Sequence, residues 1–207
     1  MSVLLVVAAH PDDEVLGVGA TAARRAGAGD TVHVAILGEG ITSRVAAPGP
    51  AEQAAVRALQ DDARAVAGML GVKSVSFGEL PDNRFDTLAL LDIVKRVEGW
   101  IRDLDPEVVY THHPGDLNVD HRLTFQAVLT ATRPSPGCRV RELYAFEVAS
   151  STEWAFGRLA APFAPTVFED VASTIDLKIA ALERYRGEHR EFPHPRSGEA
   201  LRAIARR

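Results

Sequence analysis

An apolar run near the N-terminus ends abruptly in a histidine, a proline and three acidic residues. The run covers residues 3–9, and its small and branched side chains are typical of a strand that is buried on both faces of a parallel sheet. The residues that follow are His10, Pro11, Asp12, Asp13 and Glu14. Proline fits the first turn of a helix, where the helix dipole also favours acidic side chains. The sequence therefore predicts a strand-to-helix junction at the strand's C-terminal end, which is where open α/β sheets bind ligands.

Strand patterns and helix patterns alternate along the chain. Apolar segments predict strands at residues 3–9, 31–37, 72–77 and 107–111, with mixed β structure around 143–148. Amphipathic or glycine-terminated segments predict helices at residues 15–28, 51–70, 88–104, 120–131 and 175–185. This alternation is typical of a mostly parallel sheet that is flanked by helices. We therefore predict a single Rossmann-like α/β domain that spans residues 1–207.

The composition of the chain indicates which kinds of molecule it binds. The 28 acidic residues outnumber the 23 basic ones and give a net charge of -5, which argues against a nucleic-acid partner. No apolar run approaches the roughly 20 residues that a membrane span requires. Cys138 is the only cysteine, and the N-terminal apolar run is too short and lacks the basic flank of a signal peptide. We expect a cytoplasmic protein that binds a small molecule.

A second predicted strand also brings histidine and aspartate to its end. Residues 107–111 are followed by the sequence HHPGDLNVDH, which ends at His121. Because the ends of parallel strands meet at one edge of a sheet, His121 is expected beside His10 and Asp13, which share one face of a helical turn. A catalytic zinc ion needs three nitrogen or oxygen ligands and one open position. The sequence therefore predicts a zinc site at His10, Asp13 and His121.

Other polar residues suit the remaining steps of a hydrolysis at such a site. Asp12 is adjacent to a ligand and free to act as general base for water. The oxyanion formed by attack on an amide or ester carbonyl needs a second stabilising group, for which His113 and Arg44 are candidates. An ordinary loop position is an equally open interpretation of these two residues. Asp116 and Asp120 are candidates to orient the ligand imidazoles.

Two blocks of sequence together resemble a known family. Residues 9–14 have the sequence AHPDDE and residues 113–121 have the sequence HPGDLNVDH. In this order they are similar to the PIG-L (LmbE-like) zinc deacetylases, and the resemblance extends over residues 3–125 and more loosely over 82–86 and 185–197. It implies hydrolysis of the N-acetyl group of an N-acetylglucosamine-type sugar or its conjugate, with zinc on His10, Asp13 and His121 and with Asp12 as base. Because relatives are often oligomeric, the resemblance also implies a homo-oligomer.

One position departs from the family pattern. Many members carry a histidine three residues before the last zinc ligand, where it stabilises the oxyanion or protonates the leaving amine, but this chain has Asn118. His113 and His194 are alternatives for that role, and His113 is favoured because it lies in the motif loop. Substrate contacts are predicted in residues 38–50, residues 82–86 and the C-terminal segment. The candidates for these contacts are Arg44, Asp82, Asn118 and His194.

Two alternatives come from other functional classes. Gly17, Gly19 and Ala22 match the dinucleotide fingerprint G-x-G-x-x-A, and Glu39 lies about 20 residues further on, as a ribose-binding acid does. That fingerprint needs its first glycine directly after the strand, whereas here residues 10–14 intervene and bring three acids that repel a pyrophosphate. An NAD-binding oxidoreductase is therefore one alternative. A non-catalytic module that binds a metal and a sugar on the same scaffold is the other.

Overall fold

Five parallel strands form one sheet at the centre of the molecule. The computed structural model describes residues 1–44 and 49–206, with the main chain alone at Arg44. The strands are β1 (Val3–Ala8), β2 (Thr31–Gly38), β3 (Ser74–Leu80), β4 (Val108–His112) and β5 (Glu142–Phe146). Their order across the sheet is β3-β2-β1-β4-β5, and every neighbouring pair is parallel. The predicted Rossmann-like α/β fold is therefore confirmed.

In the described part of the chain, six α-helices cover the two faces of this sheet. They are α1 (Asp13–Gly27), α2 (Pro50–Met69), α3 (Leu90–Leu104), α4 (Val119–Ala131), α5 (Ile175–Arg184) and α6 (Gly198–Ile204). The helices α1, α2, α5 and α6 contribute to the apolar core on one face, and α3 and α4 contribute to the core on the other. No helix in the described part of the chain has both the length and the apolar character of a membrane span.

The central strand β1 is buried on both faces, as its uninterrupted apolar sequence predicts. Leu4, Val6 and Ala8 belong to the core beneath α1, α2 and α5. The alternate residues Leu5 and Val7, with Ala9 beyond the strand, belong to the core beneath α3 and α4. The two-residue period of a strand divides these side chains between the two layers.

The strand order places a crevice at the end of β1. The chain leaves β1 toward β2 on one side, whereas β4 pairs with β1 on the other side, with Leu4 opposite Val108 and Val6 opposite Tyr110. Such a reversal opens a gap between the connecting segments at the carboxyl ends of the strands. The polar segments that follow β1 and β4 therefore meet at this crevice.

The residues of the dinucleotide fingerprint have packing roles. Gly17 and Gly19 lie inside α1, and a Cβ atom at Gly17 would clash with the ring of Phe146 on β5. Glu39 accepts hydrogen bonds from the main-chain N–H groups of Ile41 and Thr42 and so shapes its own loop. The helix begins with acidic side chains at the position where a pyrophosphate would sit.

Candidate metal centre

The junction between β1 and α1 contains an unusual main-chain conformation at Asp12. Its φ angle is 113°, in a region that residues with a side chain adopt at an energetic cost. The Asp12 N–H donates to Glu14 Oε2 at 3.0 Å, and the Tyr185 hydroxyl donates to Glu14 Oε1 at 2.6 Å. The Asp12 carbonyl also accepts the N–H groups of Val15 and Leu16, which begin the hydrogen-bonded turns of α1. These contacts hold Asp12 in place between the strand and the helix.

His10, Asp13 and His121 are buried and meet at the crevice. Asp13 Oδ2 lies 3.4 Å from His10 Nδ1 and 3.2 Å from His121 Nε2. The three donor atoms all lie within 4.8 Å of one another. Two ligands about 2.1 Å from a tetrahedral ion are themselves about 3.4 Å apart, so these spacings suit three ligands of one ion. The structure therefore brings together the three residues predicted as metal ligands, and this set could bind a metal ion.

Three carboxylates contact the opposite nitrogens of the two imidazoles. His10 Nε2 lies 2.9 Å from Asp120 Oδ2 and 3.3 Å from Asp82 Oδ1, and His121 Nδ1 lies 3.1 Å from Asp116 Oδ1. A carboxylate at the second nitrogen fixes the orientation and tautomer of a metal-binding histidine. His10, Asp82 and Asp120 also form a compact group of their own, but it shares His10 with the first group. Because the two groups share His10, Asp82 and Asp120 could border the same ion that His10, Asp13 and His121 could bind.

Burial and charge work against each other in this cluster. Burial lowers the pKa of His121, but the carboxylates of Asp13 and Asp116 outweigh it and raise the pKa to about 9. Burial would raise the pKa of Asp13, whereas the neighbouring histidines hold it well below its usual range. Without a bound cation, the carboxylates of Asp13 and Asp116 would therefore be ionised and His121 protonated at neutral pH.

Asp12 stands beside this group and bonds to another part of the chain. Its Oδ2 accepts a hydrogen bond from Arg196 Nη1 at 2.8 Å. Burial and the nearby charge of Asp13 raise the pKa of Asp12 well above its ordinary value, and Arg196 opposes that shift. Asp12 is thus close to the candidate ligands in sequence and in space, while Asp13 Oδ2 is the carboxylate atom that faces both imidazoles.

The two histidines that follow β4 lie in different environments. His112 is fully buried, accepts the N–H of Ala9 at its Nε2 over 2.9 Å, and stacks on His121 with 4.0 Å between ring centroids. Burial lowers the pKa of His112 to about 3, so this ring stays neutral. His113 Nε2 instead lies 3.0 Å from the carbonyl oxygen of Ala161, and the ring is not among the groups that line the cleft. The structure therefore does not bring His113 to the three candidate ligands.

Asn118 and Asp82 line the crevice but are already engaged in hydrogen bonds. Asn118 caps α4, because its Oδ1 accepts the N–H of Asp120 at 2.8 Å. Its Nδ2 donates to Asn83 Oδ1 at 2.9 Å. Asp82 Oδ2 accepts a hydrogen bond from the Ser43 hydroxyl at 2.5 Å. These bonds join the loops after β2 and β3 to the start of α4.

The other two predicted substrate contacts are His194 and Arg44. His194 Nδ1 accepts the N–H of Arg196 at 3.1 Å, and its ring meets the edge of Trp154, which lines the cleft. The side chain of Arg44 lies outside the described residues.

An open cleft of about 630 Å³ is lined at its base by the candidate ligands His10, Asp13 and His121. Its walls come from the loops after β1, β2, β3 and β4, from α2, and from two later segments around residues 150–154 and 185–196. The later segments supply functional candidates that the sequence pattern did not single out. These residues are Ser150, Glu188 and Arg196. The loose resemblance over residues 185–197 covers Glu188 and Arg196, whereas Ser150 has no signal in the sequence.

Comparison with known proteins gives this arrangement its context. The family model described as PIG-L, GlcNAc-PI de-N-acetylase, matches residues 5–132. The uncharacterized deacetylase YaiS of Escherichia coli (strain K12) is 28% identical over 189 residues, which cover 88% of this chain and 90% of that protein.

Two solved structures have the same fold. GalB, the 4-carboxy-2-hydroxymuconate hydratase of Pseudomonas putida KT2440, is 27% identical with a TM-score of 0.75, and the match covers 99% of this chain and 85% of GalB. The N,N'-diacetylchitobiose deacetylase of Pyrococcus horikoshii is 18% identical with a TM-score of 0.71, and the match covers 99% of this chain and 77% of that enzyme. The matched family model includes β1, β4 and all three candidate ligands, and the chain belongs to the PIG-L family of deacetylases.

Proposed function

We propose that this protein is a zinc-dependent amidohydrolase that removes the N-acetyl group from an N-acetylated amino sugar or its conjugate. The observation that carries the proposal is the buried group of His10, Asp13 and His121, with Asp12 beside it at the base of an open cleft. The family description, a GlcNAc-PI de-N-acetylase, supports an acetylated amino sugar as the substrate class.

The donor set suits zinc. Two imidazole nitrogens and one carboxylate oxygen are a common ligand set for catalytic zinc, with a fourth position left for water or substrate. Zinc held there would polarise the acetyl carbonyl and make water more acidic. Asp116 and Asp120 orient the imidazoles of His121 and His10 toward that position.

Asp12 is the proposed proton carrier. It takes a proton from the attacking water as the carbon–oxygen bond forms, and it returns a proton to the nitrogen as the carbon–nitrogen bond breaks. The products are acetate and a free amine. Asn118 cannot share this work, because an amide has no acidic proton to give and both ends of this amide are already hydrogen-bonded. His113 would have to leave the carbonyl of Ala161 to stabilise the oxyanion.

Sugar hydroxyl groups are proposed to bind at the rim of the cleft. Asp82 and Asn118 present carboxylate and amide groups beside the metal-binding residues, and Trp154 offers an apolar surface. Arg44 and His194 are proposed as contacts that select the group attached to the sugar.

The similarity to GalB makes a hydratase the second candidate. Hydration adds water to a double bond and releases no acetate. The substrate in GalB's name carries several carboxylates, and such a ligand needs free cationic groups. Among the described residues that line the cleft, Arg196 is engaged by two carboxylates and Arg186 is exposed. Five carboxylates against two arginines line the described cleft, and this acidic lining favours an uncharged acetamido substrate over a polycarboxylate.

Acetate release from a panel of N-acetylated compounds tests the proposal. The panel contains N-acetylglucosamine, its nucleotide-linked form, a glucosaminyl-inositol conjugate and an N-acetylated pseudo-disaccharide, each with added zinc or with a chelator. We expect zinc-dependent acetate from at least one member. A zinc-loaded protein that releases no acetate from any of them, yet hydrates an unsaturated carboxylate, would favour the hydratase.

Zinc binding is expected to release protons. His121, with a pKa of about 9, and His10, whose pKa is also raised despite burial because of Asp120 and Asp13, must both lose a proton to bind zinc. The apparent zinc affinity should therefore fall as the pH drops from 9 to 6. Calorimetry in buffers of different ionisation enthalpy should show more than one proton released per zinc at pH 7. Binding that neither releases protons nor changes with pH would contradict the expected ligand set.

A further inference from the structure

Arg196 connects the predicted general base to two distant parts of the chain. Its Nη1 lies 2.8 Å from Asp12 Oδ2 and 2.6 Å from Glu188 Oε2, and its Nε donates to the Ser150 hydroxyl at 2.7 Å. The side chain is only 18% exposed. A planar guanidinium can make such divergent bonds at fixed angles, which the ammonium of a lysine cannot do.

These contacts complete the support of Asp12. Glu14, which is itself held by the Tyr185 hydroxyl, accepts the main-chain N–H of Asp12. Arg196 alone among the described residues bonds to the side chain, and it engages only Oδ2. The other carboxylate oxygen, Oδ1, has no hydrogen-bond partner among the described groups. An anchored Oδ2 therefore fixes the plane of the carboxylate and leaves Oδ1 to exchange a proton.

Arg196 contacts none of the three candidate metal ligands. Its hydrogen bonds go to Asp12, Glu188 and Ser150, and its own N–H donates to His194 Nδ1 at 3.1 Å. Asp13 is held separately, since its Oδ2 accepts the N–H of His10 at 2.8 Å. Loss of the Arg196 guanidinium should thus disturb the base and spare the metal.

We propose that Arg196 is a positioning residue that orients the Asp12 carboxylate for proton transfer. The inference rests on the proposed function, in which Asp12 is the proton carrier. The segment after α5 then has two roles. It forms part of the cleft wall, and it places Glu188 and Arg196 next to the β1–α1 junction, where Arg196 bonds to Asp12. A misplacement of a reacting group by about 1 Å can cost about 100-fold in rate, which sets the expected size of the effect.

Substitution of Arg196 tests this role in the zinc-loaded full chain. For Arg196→Met we expect kcat to fall about 100-fold with KM changed less than about threefold and with one zinc per chain retained. Arg196→Lys should keep an intermediate kcat, because a lysine can bond Asp12 but cannot also hold Glu188 and Ser150. Free guanidinium at millimolar concentration should restore part of the activity of Arg196→Ala. The control is Arg190→Met, which removes an exposed arginine of the same segment that bonds only to carbonyl groups of its own loop.

Several outcomes would overturn the proposal. One is an Arg196→Met enzyme with wild-type kcat. Another is a loss of kcat, zinc and thermal stability together without rescue by guanidinium, which indicates a structural role alone. A crystal structure of Arg196→Met tests the positioning role without any substrate. We expect the Asp12 carboxylate to rotate from its wild-type position. A carboxylate that has not moved would refute the positioning role. If the wild-type enzyme released no acetate, the proposed function would fail while this crystallographic test still applied.

Discussion

Replacing either candidate histidine ligand by alanine is expected to abolish zinc binding and activity together. In His10→Ala and His121→Ala, the site keeps only two of its three protein ligands, and catalytic zinc sites use three. The reaction then loses the group that would stabilise the charge developing on the carbonyl oxygen. We expect kcat/KM to fall by roughly a thousandfold or more, with zinc content below one ion per ten chains after dialysis.

A surface histidine provides the control for these variants. His189→Ala removes an imidazole from the irregular segment after α5, and that residue does not line the cleft. It should keep both zinc and activity. Thermal melting of the metal-free proteins separates loss of metal from loss of fold. Full activity in a zinc-depleted His121→Ala enzyme would show that another set of residues carries the reaction.

The substitution Asp12→Asn should separate catalysis from metal binding. Asparagine has nearly the same shape and can still accept a hydrogen bond from Arg196, but it cannot take a proton from water. General acid–base catalysis contributes about 10²- to 10⁴-fold to a rate, and we expect kcat to fall within this range. Zinc stoichiometry and KM should stay close to the wild-type values, because the donor atoms belong to His10, Asp13 and His121.

Asp103→Asn is the matched control, since it removes a carboxylate from an exposed position at the end of α3. A non-catalytic metal- and sugar-binding module would give a different pattern: sugar affinity would change little in Asp12→Asn, and the wild-type protein would release no acetate. A wild-type kcat in Asp12→Asn would eliminate Asp12 as the proton carrier.

Local patterns in the sequence predict most of the fold. The uninterrupted apolar sequence of β1 indicates burial on both faces, and the alternation of strands and helices indicates a parallel sheet. The predicted ends of β2, α2 and α4 agree with the structure within one or two residues. The prediction of mixed β structure near residue 143 was less specific, because the short, partly exposed β5 carries little pattern of its own.

The candidate ligands were predictable because each lies between the end of a strand and the first turn of the next helix. His10 and Asp13 follow β1, and His121 lies in the first turn of α4, the helix after β4, so the topology of the sheet brings them to one edge. For His112 and His113, sheet topology does not predict which of the two side chains faces the candidate ligands. They are adjacent in sequence, but His112 packs on His121 while His113 contacts Ala161. A one-residue shift in the predicted end of a strand exchanges these two environments.

Arg196 was not predictable from local pattern. It lies 184 positions from Asp12 in an irregular segment, and neither helical nor strand periodicity determines where such a segment folds. The same holds for Ser150, whose loop follows β5. Contacts between irregular segments depend on how the whole chain packs. The hydrogen bond from Arg196 to Asp12 can therefore be seen only in the three-dimensional structure.

Activity during a zinc titration tests the central hypothesis most directly. Metal-free protein is titrated with zinc while acetate release is followed with the best substrate of the panel. We predict that activity rises in proportion to zinc and stops rising at one ion per chain, and that His121→Ala shows no rise at all. Acetate release that is unaffected by complete removal of zinc would contradict a metal-dependent mechanism at His10, Asp13 and His121.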